Sequence, residues 1–337
     1  MKAVETHALS KTYYSHKKAP GIGGAIKSLF SREKVAIEAV QGVNLSIEQG
    51  EMVGFLGPNG AGKTTTLKML SGILFPTSGE AKVLGFRPSD RKNEMLRQIS
   101  IVMGNKMQLW WDLPAWDSFI VLKELYEVSD AEFKRRVDFL IEELQLTDKV
   151  HTQVRKLSLG ERMKCELVAA LLHSPKVVFL DEPTIGLDVV SQKRIRDFLK
   201  DLHREDGCTI LLTSHYMQDV EELCDRVVVI DHGTTIFEGT LDELTRQFSD
   251  TRKVRLSFSK PVDQADVDRF GKVTMTGETV ATIEVKRDET AAVTAAALHA
   301  LPVSDVAIEE VDIDDIIRDL FSREASKPAA ASSELGA

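Results

Sequence analysis

The sequence predicts an α/β chain followed by a smaller α+β domain, and three observations carry that expectation. Short apolar runs alternate with helical patterns as far as about residue 235. The run 51–56 leads directly into the stretch Gly57-Pro58-Asn59-Gly60-Ala61-Gly62-Lys63-Thr64-Thr65, and the character of the chain changes near residues 248–250. At 337 residues there is room for two domains of about 100–200 residues each. A composition of 43% hydrophobic and 28% charged residues suits a chain that builds a core.

Taken in order, 51–56 reads as a buried strand, 63–74 as a helix and 99–103 as a strand. Residues 117–146 are mostly helical, with Leu122, Leu125, Val137, Leu140, Ile141 and Leu144 near helical spacing. Strands follow at 177–180, 209–213 and 226–230. Beyond them come strand 254–258, helix 262–270 and strand 272–275, then a turn at Gly277-Glu278, strand 280–285, helix 291–301 and strand 306–311. This β-α-β-β-α-β order suggests a small ferredoxin-like domain. A helix over 313–321 follows, and the Ala/Ser-rich tail 323–337 has the composition of a disordered segment. The expected limits are 1–248 for the first domain, with a helical part at about 105–170, and 249–322 for the second.

A net charge of −9, from 43 Lys+Arg against 52 Asp+Glu, argues against broad binding to nucleic-acid backbones. Cys165, Cys208 and Cys224 stand apart with no CxxC pair, which argues against a disulfide framework or zinc site and suits a reducing, cytosolic setting. No apolar signal region follows Met1, and no apolar run approaches the ~18–20 residues of a membrane span, so any membrane role is expected to be peripheral.

Gly57, Gly62, Lys63 and Thr64 meet the pattern GxxxxGK[ST]. Its glycines, with Asn59 and Gly60 between them, let the backbone wrap phosphate oxygens at a helix N-terminus. Lys63 would neutralise the β- and γ-phosphates, and the Thr64 hydroxyl would ligate Mg²⁺. Thr65 completes the loop. A second element, Val177-Val178-Phe179-Leu180-Asp181-Glu182, is a buried strand ending in two carboxylates at the sheet edge where nucleotides sit. There Asp181 would hold the metal shell, and Glu182 would orient or deprotonate the attacking water.

Downstream come Leu157-Ser158-Leu159-Gly160-Glu161-Arg162, the two carboxylates, Gly186-Leu187-Asp188 and Ser214-His215. This order of motifs over residues ~1–240 resembles the ATP-binding subunit of an ABC transporter, a P-loop NTPase with a RecA-like core and a helical subdomain. The resemblance implies that two such domains clamp two ATP molecules head to tail, the second being another copy or a homologous ATPase subunit. Ser158 and Gly160 would then touch the γ-phosphate bound by the partner. Ser158 also reads as an ordinary capping box with Glu161. Asp188 resembles the residue linking the two sites, and His215 resembles the switch histidine at the γ-phosphate. The aromatic expected on adenine is Tyr13, with Tyr14 the alternative.

Two departures from the family pattern stand out. The signature reads LSLGE rather than LSGGQ, so Leu159 and Glu161 replace a glycine and a glutamine. After 99–103 the usual glutamine is replaced by Asn105 as the candidate Mg²⁺ or water contact, with Gln108 the alternative and no contact the remaining possibility. All three tryptophans cluster at Trp110, Trp111 and Trp116, which suggests a docking surface for a permease or rings packed inside the helical subdomain. The segment 15–34 is basic and amphipathic, and reads either as a surface loop or as a membrane or permease contact. The resemblance thus implies an ATP- and Mg²⁺-dependent ATPase at the cytoplasmic face of the membrane. It would drive separate transmembrane permease subunits, with the bacterial exporter-type (ABC-2-like) branch favoured. A soluble ABC ATPase acting on nucleic acid or ribosomes is the alternative.

Overall fold

The computed structural model describes residues 1–16, 34–104, 106–214 and 216–325. Asn105, His215 and residues 326–337 lie outside the described residues, as does the basic segment 15–34 except Ser15, His16 and Lys34, which sit at strand ends. The chain divides into two compact units, Met1–Gly239 and Thr240–Ala337. The division precedes the expected 248/249 limit, because the helix Leu241–Phe248 packs against the last helix of the second unit.

The first unit begins with β1 (Lys2–His16), β2 (Lys34–Glu48) and β3 (Met52–Leu56), then α1 (Lys63–Leu70), β4 (Ser78–Val83), α2 (Asn93–Leu96) and β5 (Ile99–Met103). A helical stretch follows, with α3 (Ala115–Tyr126), α4 (Asp130–Glu143) and α5 (Leu159–Leu171). It continues with β6 (Val177–Asp181), α6 (Val189–Asp206), β7 (Thr209–Thr213), α7 (Met217–Leu223), β8 (Arg226–Asp231) and β9 (Thr234–Thr240).

β1 pairs antiparallel with β2 and β4 in a three-stranded sheet, and the main sheet has the order β5-β6-β7-β3-β8-β9, parallel from β5 to β8. β3, β6 and β7 are buried at every position, as parallel strands covered on both faces require. Leu67 and Leu70 of α1 share a core with Phe55, Phe179, Leu211 and Ile230. The register aligns Met103, Asp181 and Thr213 in one row at the carboxyl ends of β5, β6 and β7. That edge, together with the loop between β3 and α1, positions the site.

In the helical part, Trp116 packs edge-on to Phe133 at 6.0 Å and lies 5.4 Å from His151, so this ring belongs to the interior packing. Trp110 and Trp111 remain 47% and 48% exposed. His173, just beyond α5, stacks flat on Tyr126 at 3.8 Å and sits 3.2 Å from the Ile99 carbonyl. Burial pushes its pKa from 6.5 down to about 4, opposed by the Ile99 carbonyl and reinforced by Arg136. A depressed folded pKa stabilises the fold above pH 6.5, and that contribution is lost as pH falls toward about 4. At about 1.4 kcal/mol per pH unit, the loss over this window is roughly 3 kcal/mol. His173→Phe, which keeps the stack, is expected to flatten this part of the acid limb. Urea midpoints of the two proteins at neutral and acid pH check it.

The second unit contains α8 (Leu241–Phe248), β10 (Thr251–Phe258), α9 (Gln264–Asp268), β11 (Lys272–Met275), β12 (Val280–Lys286), α10 (Thr290–Ala300), β13 (Val303–Glu310) and α11 (Ile313–Ala325). Its sheet has the order β11-β12-β10-β13 with every neighbouring pair antiparallel. Each β-α-β crossover thus brackets another strand, which is the split arrangement of a ferredoxin-like sheet. Val254, Leu256, Phe258, Ile283 and Ala297 form its core. α11 continues through Ala325, beyond both the expected helix end at 321 and the expected tail start at 323.

Candidate nucleotide site

The loop from Gly57 to Gly62 needs glycine at two positions for different reasons. A Cβ on Gly57 would meet the Ile230 carbonyl at 2.4 Å. Gly62, the N-cap of α1, has φ +106°, and a Cβ there would meet the Ala39 carbonyl at 2.4 Å. The loop therefore presses against β2 and β8 while α1 starts with no side-chain cap. Asn59, Gly60, Gly62, Lys63, Thr64 and Thr65 join Ala39 and Glu182 around a cavity of about 270 Å³.

Lys63 is buried and its Nζ donates to the Gly57 and Pro58 carbonyls at 2.6 and 3.1 Å. Burial lowers its pKa, and the Glu182 and Asp181 carboxylates oppose that shift. The Thr64 hydroxyl lies 2.8 and 3.0 Å from the two Asp181 oxygens, and the Thr213 hydroxyl donates to Asp181 Oδ1 at 2.9 Å. A buried carboxylate between two hydroxyls is a set of hard oxygen donors, which fits Mg²⁺. The Glu182 N–H donates to both the Thr213 carbonyl and its hydroxyl at 3.1 Å. Glu182 itself has φ +57°, the left-handed region that disfavours residues with a Cβ.

Ser158, Gly160 and Asp188 do not line that cavity but are brought together elsewhere. Ser158 caps α5 and forms the expected reciprocal box with Glu161. Glu161 is further occupied by Lys149 at 2.9 Å. Asp188 caps α6 through the Ser191 N–H and hydroxyl at 3.0 and 2.7 Å. A Cβ on Gly160 would meet Ser191 Oγ at 2.6 Å, so glycine lets the signature pack on the cap of α6.

Tyr13 lies on β1 opposite Ile37 of β2, the strand that supplies Ala39 to the cavity. It is 40% exposed with Lys11 Nζ 5.5 Å from its ring, whereas Tyr14 is 66% exposed. The Gln108 amide donates to the Ile101 carbonyl at 3.2 Å and does not line the cavity beside Lys63.

Sequence reasoning missed Thr213 and Glu166. Thr213 ends a strand with a threonine at each end, beside Asp181, and a hydroxyl there gives no signal. Glu166 accepts from the Gln108 N–H at 2.9 and 3.1 Å and from the Leu109 N–H at 3.1 Å, despite burial that raises its pKa. A carboxylate in the buried run from Cys165 to Leu172 was a readable sign of it.

A phosphate loop, a paired hydroxyl and carboxylate, and a second acid at the end of one parallel sheet define a P-loop nucleotide hydrolase. Residues 40–185 match the ABC transporter family, and residues 250–309 match the C-terminal domain of EvrA-like ABC transporters. The chain is 37% identical over 215 residues to the ABC transporter ATP-binding protein NatA of Bacillus subtilis (strain 168), covering 64% of this chain and 87% of that relative. It is 33% identical over 253 residues to the daunorubicin/doxorubicin resistance ATP-binding protein DrrA of Streptomyces peucetius, covering 75% and 74%. Among solved structures, it resembles the ATP-binding cassette MJ0796 in a dimeric post-hydrolysis state with ADP and Pi (25% identity, TM-score 0.59), covering 71% and 98%. The chain belongs to the ATP-binding, ATP-hydrolysing subunits of ABC transporters.

Proposed function

We propose that this subunit binds peripherally at the cytoplasmic face of the membrane and powers export through separate transmembrane permease subunits. The meeting of Lys63, Thr64 and Glu182 around one cavity, with Asp181 bonded to the Thr64 hydroxyl, carries the ATPase part of the reading. Among the described residues no helix is long and apolar enough to cross a membrane. The resistance function in the name of DrrA favours export over import, and the transport and resistance names favour a transporter over a soluble ABC ATPase.

In this reading, an entering phosphate draws Lys63 Nζ away from the Gly57 and Pro58 carbonyls and receives its charge. Thr64 and Asp181 would hold Mg²⁺, which would neutralise phosphate charge when bound. Glu182 takes the proton of the attacking water, while the Thr213 hydroxyl orients the Asp181 carboxylate and holds the Glu182 backbone N–H. Tyr13 stacks on adenine. Ser158 and Gly160 meet the γ-phosphate of a head-to-tail partner, either a second copy or a homologous subunit. The packing of Gly160 on Ser191 ties that surface to Asp188. His215 and Asn105 keep the roles that the resemblance implies.

A cavity of about 470 Å³ in the same unit, lined by Ile73, Leu96, Ile101, Gln108, Leu125 and Tyr126, supports a permease-docking groove. The exposed Trp110 and Trp111 lie on the segment that supplies Gln108. Purified from membranes, the chain is expected to bring with it a multi-span protein. Replacing both Trp110 and Trp111 with alanine is expected to reduce that recovery. Association with ribosomes or DNA in place of a membrane protein contradicts the reading.

A further inference from the structure

One buried ion pair lies outside the phosphate cavity and binds both segments that leave the catalytic strands. Arg196 of α6 is 2% exposed and Asp219 of α7 is 0% exposed. Arg196 Nη1 donates to Asp219 Oδ1 at 2.9 Å, and Glu222 lies 3.3 Å from Arg196 Nε. The other Asp219 oxygen accepts from the Ser214 hydroxyl at 2.7 Å and from the Thr184 hydroxyl. Ser214 directly follows β7, and its oxygen also accepts the Tyr216 N–H at 3.0 Å. Thr184 is buried two residues after Glu182.

Stability alone does not call for this arrangement. Replacing a buried ion pair with well-packed apolar residues is often neutral or stabilising. What the pair supplies is geometry at a strained point. Glu182 holds φ +57°, a conformation that persists where its surroundings over-determine it. On one side its N–H is held by Thr213. On the other, Asp219 pins Thr184 and ties that residue to the exit of β7.

We infer that Arg196 and Asp219 are positioning residues that hold the Glu182 carboxylate in its working place through the hydroxyl of Thr184. The inference rests on the reading of Glu182 as the base, and it reaches no further than the orientation of that residue. Because the link runs through one hydroxyl, its removal shifts the carboxylate and leaves the phosphate loop intact. A displacement of about 1 Å in such a group costs up to about 10²-fold in rate.

The test is a double-mutant cycle in steady-state ATP hydrolysis by the full chain. Thr184→Val is expected to lower kcat about tenfold or more with KM for ATP near the parent value, and Thr184→Ser to retain most of the rate. In a Glu182→Gln background, Thr184→Val is expected to cause no further fall, because its effect passes through Glu182. An equal fold-loss in both backgrounds, or an undiminished kcat in the single variant, overturns the inference. Asp219→Asn, similar in size, is read the same way if Thr184→Val does not yield folded protein. The rate of Glu182→Gln on its own judges the assignment of the base separately.

Discussion

Glu182→Gln is expected to lower ATP turnover by about 10²–10⁴-fold while leaving ATP binding intact. The substitution keeps the shape of the side chain and the backbone link to Thr213, so the loop should hold its conformation. It removes only the capacity to accept a proton from water. Lys63, Thr64 and Asp181 are untouched, so nucleotide affinity should stay close to the parent value. Without turnover, the ATP-bound dimer should accumulate, visible as a doubled mass by light scattering only when ATP is present. Hydrolysis at the parent rate refutes the assignment of the base.

Arg196→Ala is expected to destabilise the first unit by about 3–5 kcal/mol. Asp219 is 0% exposed, and losing its guanidinium partner strands a charge where water cannot reach it. The Thr184 and Ser214 hydroxyls remain as donors, but they do not neutralise it. Replacing both members of the pair with apolar residues should recover much of the loss, because no buried charge is then left unpaired. Denaturant melts of the single and double variants measure this directly. Equal destabilisation in the two is evidence that packing, rather than the unpaired charge, dominates.

The loop from Gly57 to Thr65 was legible because its chemistry is local. Glycines that admit close backbone approach, a lysine and a hydroxyl must stand at set spacings to wrap a phosphate, whatever surrounds them. The strand 177–181 was legible for a related reason, since a fully buried parallel strand shows as an unbroken apolar run. The split β-α-β order of the second unit followed from the alternation of short strands and helices. Helix ends were less visible, as with the stop of α1 at Leu70 and the extension of α11 to Ala325. Terminal turns are decided by packing as much as by propensity.

The tryptophan cluster shows where local reading stops. Three rings close in sequence offered two readings, and the structure divides them, with Trp116 on Phe133 and Trp110 and Trp111 left outside. Gln108 is similar, because its amide could serve the phosphates or the protein, and it bonds to the Ile101 carbonyl.

From sequence alone, the family, the order of its motifs and the two-part architecture were determined, because each depends on spacing along the chain. The tertiary structure decided which side chains share a charge or a hydrogen bond. It brought Thr213 to Asp181, Glu166 to the backbone after β5, and Asp219 to Thr184, Ser214 and Arg196. Apart from Ser214 and Asp219, these pairings join residues far apart in sequence, and burial makes them decisive: without water, each charge and hydroxyl must find its partner within the fold.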